Sequence, residues 1–452
     1  MNLPELFVKR VKEELGEVEA LQLCDALDGD VAVSVRYNPF KVNDIPSENP
    51  IGWSRWGRYL DSRPSFTLDS DFHAGAYYVQ EASSQFVGHI LSSEPTQGYK
   101  ILDMCAAPGG KSTLYSTLVG ADGLVLSNDI DKGRVSVLAD NVRKWGVGNV
   151  LVSCNKPSQI AKAKSWFDVV AVDAPCSGEG MFRRGDMARG EWSENAVKLC
   201  AERQKEILES AWSALRAGGV LIYSTCTFNR DENEEVLEWF NSRFEDETAP
   251  YDSVNIDDSW GVTCGRVGDF QTFRFYPHLT KGEGLFVGVA RKASEQRVKR
   301  ATLKSERKVM TQADKASVKE CERWVLNGED VRFSIIADKI YLHSAALWED
   351  IRSLSESLNI IYSGVAMGQI FKGKLKPDHA LALYHNLNRD NISCVEVGDE
   401  DILIYLRKMS LDATLFSEGL NLVTSRGKAL GFAKRIGARV NNMYPNSLRI
   451  LK

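Results

Sequence analysis

Apolar positions near the start of the chain recur at helical spacing. Leu6, Phe7, Val8, Val11 and Leu15 predict one helix, and residues 18–27 predict a second. Proline and asparagine breaks at 38–40, 45–47 and 49–50 then mark loops. Trp53, Trp56, Tyr59, Phe66, Phe72, Tyr77 and Tyr78 follow, with Arg55, Arg58 and Arg63 among them, and residues 80–91 read as a helix. From 98 to 230 the pattern changes to short apolar runs alternating with helical periodicity, which implies a largely parallel sheet. The strands end at Asp103, span 123–127 and 149–153, form the continuous apolar run 167–172, and span 220–224. Between them the pattern predicts helices from Lys111, over 132–145, and from the cap Ser193 to Leu215 with a stop at Gly218 and Gly219. An acidic helix (232–240) and an antiparallel pair (270–276, 285–290) close this part. Beyond 323, short strands are expected at 331–335, 340–343 and 401–406, and 419–437 alternates apolar residues with glycine and basic side chains. The chain thus divides into an N-terminal helical segment (1–90), an α/β unit (91–292), a basic linker (293–322) and a β-rich module (323–452).

Composition narrows the classes. A chain of 452 residues with 43% hydrophobic residues has material for several cores, and no low-complexity tract argues for extensive disorder. The start carries no apolar segment of signal-peptide length, and no run is long enough to span a bilayer. Nine cysteines without a CxxC pair suggest neither a disulfide framework nor a metal site, so a reducing, cytoplasmic setting is expected. The net charge of −5 argues against indiscriminate nucleic-acid binding but leaves room for local patches. Residues 291–308 carry eight Lys or Arg, and the last 32 residues carry seven and no acid. The aromatics and arginines of 53–78 fit either stacking on unpaired bases or interdomain core.

The chemistry gathers at the strand ends, where open α/β sheets bind ligands. Cys105, Ala106, Ala107, Pro108, Gly109, Gly110 and Lys111 form a tight turn between the first strand and its helix. A phosphate-binding P-loop would need glycine at Cys105, and the dinucleotide fingerprint G-x-G-x-x-G is missing. A cofactor without phosphates, S-adenosyl-L-methionine, suits the turn better. Asp129, ending the second strand, is placed to accept from both ribose hydroxyls. Cys176 and Cys226 follow neighbouring strands, which lie about 4.8 Å apart, so both can face one pocket. Spacing alone does not decide which of them attacks a substrate. Cys24, Cys154, Cys200, Cys264, Cys321 and Cys394 read as ordinary apolar residues.

Asp-Met-Cys-Ala-Ala-Pro-Gly-Gly-Lys-Ser (103–112), Asp-Ala-Pro-Cys-Ser-Gly-Glu-Gly (173–180) and Ser-Thr-Cys-Thr-Phe (224–228) closely resemble the Nop/Sun family of RNA cytosine-5 methyltransferases. Residues 229–234 match as well, and the flanks resemble the RsmF-type branch, which methylates small-subunit ribosomal RNA. The resemblance implies an α/β, Rossmann-like S-adenosylmethionine-dependent methyltransferase sheet with an N-terminal α-rich extension and a C-terminal PUA-like module. It also implies Cys226 as nucleophile, Cys176 in product release, and Asp173 on the cytosine edge and against the cofactor with residues 105–111 and Asp129. Lys111 can instead orient Asp173 or the active-site loop. The expected partner is 16S ribosomal RNA or the small subunit, with no membrane and no metal. Transfer RNA as substrate, or a non-catalytic RNA-binding assembly factor, stands as the alternative. One departure is Asn155-Lys156-Pro157, where the family often places an aspartate against the adenine amino group. By this reading the C-terminal module binds RNA, and its removal leaves cofactor binding intact.

Overall fold

In the computed structural model, residues 3–293, 302–303, 309–326 and 330–451 are described. Helices Glu5–Leu15 and Glu17–Asp28 open the chain as the periodicity predicts. The region that follows also holds an antiparallel sheet that the aromatic pattern did not disclose: β1 (Val33–Tyr37), β2 (Pro50–Ile51), β3 (Ser54–Leu60) and β4 (Tyr77–Val79), in the order β2-β3-β1-β4. The expected helix at 80–91 is shorter, Phe86–Leu91 after a 3-10 turn.

The central sheet contains β5 (Lys100–Asp103), β6 (Leu124–Asn128), β7 (Val150–Ser153), β8 (Phe167–Asp173) and β9 (Leu215–Thr225), all parallel, in the order β9-β8-β5-β6-β7. β10 (Thr248–Ala249), β11 (Thr263–Val267), β12 (Phe270–Phe275) and β13 (Leu285–Lys292) extend the β9 side antiparallel. Successive strand residues face opposite ways. Ile101, Val125 and Val169 pack against the helices Gly110–Val119 and Lys132–Trp145, while Leu102, Leu126 and Val170 pack against Glu194–Ala214 and Glu234–Arg243. The strand order reverses between β5 and β8, so their carboxyl ends border the crevice where such sheets bind ligands.

The expected helix stop at Gly218-Gly219 is a different device. Ser193 caps the helix as expected, but the strand starts at Leu215 and bulges. Phe167 pairs Leu215 while Val169 pairs Val220. Gly218 takes φ +72°, and a side chain on Gly219 would meet the Asp168 carbonyl at 2.8 Å.

Of the segment read as a basic linker, residues 294–301 and 304–308 lie outside the described residues. Regular structure resumes before 323 with β14 (Met310–Gln312) and a helix, Lys315–Glu322, capped by Asp314. Then come β15 (Val331–Ile336), β16 (Lys339–Ser344), β17 (Ile360–Ser363), β18 (Val365–Phe371) and β19 (Lys374–Pro377). All but β17 make a five-stranded sheet; β17 leaves it and pairs antiparallel with β7, extending the central sheet. The last sheet is β20 (Ser393–Glu396), β21 (Gly419–Ser425), β22 (Lys428–Ile436) and β23 (Arg439–Asn442). The strand expected at 401–406 is a helix, Asp399–Leu406. Its three acidic residues sit in the first turn, where the helix dipole favours them, and Ile402, Tyr405 and Leu406 bury one face.

Candidate active site

The turn after β5 is held from several sides. Ala106 N donates to Asn128 O at 2.7 Å and Ala107 N to Asp129 Oδ2 at 3.3 Å. Asn141 Nδ2 reaches Pro108 O at 2.8 Å. Gly109 takes φ +111°, open to glycine, and a side chain there would strike Leu138. The next helix begins at Gly110 with no side-chain cap, so its first N–H groups point into the crevice. Arg36, fully buried, fixes that helix from the N-terminal sheet through Gly110 O at 3.0 Å and Thr113 Oγ1 at 2.6 Å.

Asp129 is almost fully buried at the end of β6. Its oxygens accept from Ala107 N and from Asp131 N at 3.0 Å, and Arg134 stands 3.4 Å away. Ile130 beside it is 60% exposed, an apolar shelf in the open. An uncapped helix N-terminus suits a carboxylate and an acidic strand end suits hydroxyl donors, so this donor set fits the amino-acid and ribose ends of S-adenosylmethionine. Asp103 lies beneath, with Oδ2 accepting from Ser112 Oγ at 2.7 Å; burial pushes its carboxyl up to about 7.

β8 and β9 run side by side with Asp173 opposite Ser224. This pairing brings Cys176 Sγ to 3.3 Å from Cys226 Sγ. Asp173 Oδ1 accepts from Ser224 Oγ at 2.8 Å, and Oδ2 meets Lys111 Nζ at 2.8 Å. Lys111 thus orients Asp173 rather than reaching past it. Burial works against the Lys111 charge, but Asp173 outweighs it and raises its pKa. The contact with Cys226, then burial, hold the Cys176 thiol well above its ordinary value, and the Glu232 carboxylate adds to this. Cys226 has cationic neighbours instead, Lys111 and Arg184. Burial raises Cys105 strongly, leaving it an uncharged wall of the turn.

Sequence reasoning left the support of this pair without roles. Glu179, buried, accepts from Phe228 N at 2.7 Å, Asn229 N at 3.0 Å, Asn229 Nδ2 at 3.0 Å and Trp192 Nε1 at 3.0 Å. Glu232 accepts from Ser177 N at 2.9 Å, Gln204 Nε2 at 2.8 Å and Asn229 Nδ2 at 2.9 Å. Two buried carboxylates therefore clamp the loops carrying both cysteines. Gly180 N donates to Cys226 O at 2.9 Å, and a side chain at Gly180 would crowd that carbonyl. The only sequence signal was that Glu179, Gly180, Asn229 and Glu232 lie inside the matched stretches.

The aromatics of 53–78 are mostly packed. Trp53 meets Trp260 and Phe275 edge to face, and Phe66, Phe72 and Tyr77 pack on one another. Core packing accounts for these four, while Trp56 and Tyr59 keep partial exposure, with Arg55 over one ring and Lys281 over the other. Among the described residues no group of three His, Cys, Asp or Glu could hold a metal ion, and no helix is long and apolar enough to cross a membrane.

Known proteins share this architecture. The family model for 16S rRNA methyltransferase RsmB/F matches residues 90–291, that for the N-terminal domain of 16S rRNA methyltransferase RsmF matches 3–82, and that for the methyltransferase RsmF PUA domain matches 393–450. The ribosomal RNA small subunit methyltransferase F of Shewanella piezotolerans is 29% identical over 440 residues, covering 92% of this chain and 90% of that protein. Its Salmonella agona counterpart is 29% identical over 483 residues, covering 98% and 96%. Among solved structures, a methyltransferase homolog protein from Pyrococcus horikoshii is 27% identical with a TM-score of 0.53, covering 64% of this chain and 95% of that one. NSun6 from the same organism, solved with SFG, shares the fold at 20% identity, with a TM-score of 0.54 over 65% of this chain and 99% of that one.

Proposed function

We propose that this chain, which belongs to the RsmF-type Nop/Sun rRNA methyltransferases, transfers a methyl group to carbon 5 of a cytosine in small-subunit ribosomal RNA. The observation that carries the reading is the thiol pair at 3.3 Å, cationic neighbours on Cys226 and a carboxylate on Cys176. The names of the Shewanella and Salmonella relatives and the matched PUA segment favour the ribosomal target over transfer RNA.

Bound S-adenosylmethionine supplies an electrophilic methyl group on a sulfonium. The protein's residues make the other partner reactive. Two thiolates at contact distance repel, so only one ionises, and burial and the Glu232 carboxylate disfavour the charge on Cys176. The Cys226 thiolate forms a bond to carbon 6 of the cytosine, and the ring's electron pair shifts to carbon 5. Asp173, held by Lys111 and Ser224, faces the N3 and 4-amino edge and favours a proton there. Carbon 5 takes the methyl group. With Cys226 now an uncharged thioether, the repulsion that keeps Cys176 protonated is lifted. Cys176 can then ionise and remove the carbon 5 proton, and the returning electron pair expels the Cys226 thiolate. Covalent catalysis thus replaces one difficult substitution by easier steps.

The test combines labelled cofactor, bisulfite mapping of small-subunit rRNA and denaturing electrophoresis. Cys226→Ala is expected to abolish methylation and any covalent RNA adduct. Cys176→Ala is expected to accumulate an RNase-sensitive adduct that forms but does not resolve. An adduct in Cys226→Ala and none in Cys176→Ala would reverse the roles; methylation intact in both variants would sink the covalent mechanism.

A further inference from the structure

A line of buried asparagines joins the cofactor turn to a part of the chain far away in sequence. Asn128, ending β6, donates Nδ2 to Met104 O at 3.2 Å and Asn155 O at 3.1 Å. Its Oδ1 accepts from Asn155 N at 3.0 Å and Ser153 Oγ at 2.8 Å, and its backbone carbonyl receives Ala106 N. Asn155 turns its side chain the other way. Its Oδ1 accepts from Asn359 N at 3.0 Å and its Nδ2 donates to Asn359 O at 3.4 Å, 204 residues along the chain. Cys154 N also donates to Asn359 O at 3.0 Å, and Asn359 Nδ2 to Cys154 O at 3.2 Å. Asn359 immediately precedes β17, the strand that leaves its own sheet to pair with β7. The same loop supports Asp129, whose N–H donates to Ser153 O at 3.2 Å, and touches Ile130 O through the Cys154 thiol.

We propose that the Asn155–Asn359 pair anchors the cofactor shelf, so that the C-terminal part of the chain completes the cofactor site. The inference rests on the function proposed above. A buried amide with both ends satisfied has one orientation, and here both ends of Asn155 are taken by Asn359. Asn155 therefore keeps its backbone on Asn128, and Asn128 keeps Met104 and Ala106 at the start of the turn. Asn155 and Asn359 are positioning residues; neither need touch the cofactor. The consequence runs against the sequence-based expectation that removal of 323–452 leaves cofactor binding intact.

The test uses the full chain and S-adenosyl-L-homocysteine as calorimetric probe, beside steady-state methylation. Asn155→Ala removes both bonds to Asn359 and is expected to weaken probe binding about tenfold, the scale of one to two buried hydrogen bonds. Asn359→Ala removes only the bond to Cys154 O, for about threefold. In both variants KM for the methyl donor rises while kcat at saturation and RNA affinity hold. Asn155→Asp keeps the acceptor for Asn359 N and recovers part of the loss. His385→Ala is the control: its Nδ1 lies 2.8 Å from Gly146 O, so it loosens another C-terminal contact and is expected to leave probe affinity unchanged. Wild-type affinity in folded Asn155→Ala overturns the proposal. If that variant does not fold, wild-type affinity in Asn359→Pro, which lacks the backbone N–H that Asn155 Oδ1 accepts and sits at an exposed position after the extended Leu358, overturns it equally. Failure of the wild-type protein to bind the probe overturns the proposed function and this inference with it.

Discussion

Replacing Glu179 by glutamine tests whether the cysteine loops are held by charge. Each carboxylate oxygen of Glu179 accepts two donors: Oε2 takes Phe228 N and Asn229 N, and Oε1 takes Trp192 Nε1 and Asn229 Nδ2. Glutamine keeps one oxygen and turns an NH2 toward the other two N–H groups. Flipping the amide does not help, because both sides present donors only. Two hydrogen bonds to a charged acceptor are lost, each worth about 1.5–3 kcal/mol, so the variant should lose roughly 3–6 kcal/mol of stability. That remains within the roughly 5–15 kcal/mol of an ordinary domain, so folded protein should still be recoverable. Phe228 and Asn229 lie two and three residues past Cys226, and the loop should relax away from Cys176. A displacement of about 1 Å at a reacting group can cost about a hundredfold in rate. Urea unfolding and single-turnover methyl transfer on small-subunit rRNA measure the two effects. Trp192→Phe, which removes one donor and leaves the carboxylate satisfied by three, is expected to cost under about 2 kcal/mol. A Glu179→Gln enzyme as stable and as fast as wild type would refute the clamp.

Asp129→Ala should weaken S-adenosylmethionine binding about tenfold or more, the value of one charge-assisted hydrogen bond, with some loss from the released Ala107 N–H; unchanged affinity by calorimetry would remove Asp129 from the site. Asp103 gives a pH-dependent test. Burial pushes its carboxyl from 3.8 to about 7, so the folded state holds the proton more tightly than the unfolded chain does. The stability tied to it is fully present below about pH 4 and is lost as pH rises to about 7. Asp103→Asn removes this titration while keeping an acceptor for Ser112, so its stability relative to wild type should grow across that window by up to about 4 kcal/mol and then level off. A difference in Tm independent of pH between 4 and 8 would show that Asp103 does not titrate this way.

What could be read from the chain, and what could not, follows the range of the interactions involved. The five parallel strands were legible because each is a short apolar run closed by a polar strand end. The pairing of β8 with β9 then brings Cys176 and Cys226 together as that order required. The helix Asp399–Leu406 was misread as a strand because its apolar residues are nearly continuous, and a run that short has no readable period. Its three leading acids were the usable signal, since they suit a helix N-terminus and nothing in a strand. β17 was not legible at all: four residues carry no pattern, and their partner β7 lies about two hundred positions earlier. Arg36 is similar. An arginine in a segment with no predicted element reads as solvent-facing, and only the fold shows it enclosed against Trp145 with its guanidinium on the helix after the glycine turn. Asn155 joins both cases. In sequence it was only a departure from the family's aspartate; in three dimensions its amide has a second address, on Asn359, that an aspartate could satisfy only by half. The groups proposed to react are local in sequence because each rides on one strand end. The groups that hold them still are hydrogen-bonded across the chain, and such partners emerge only once the strands are assembled.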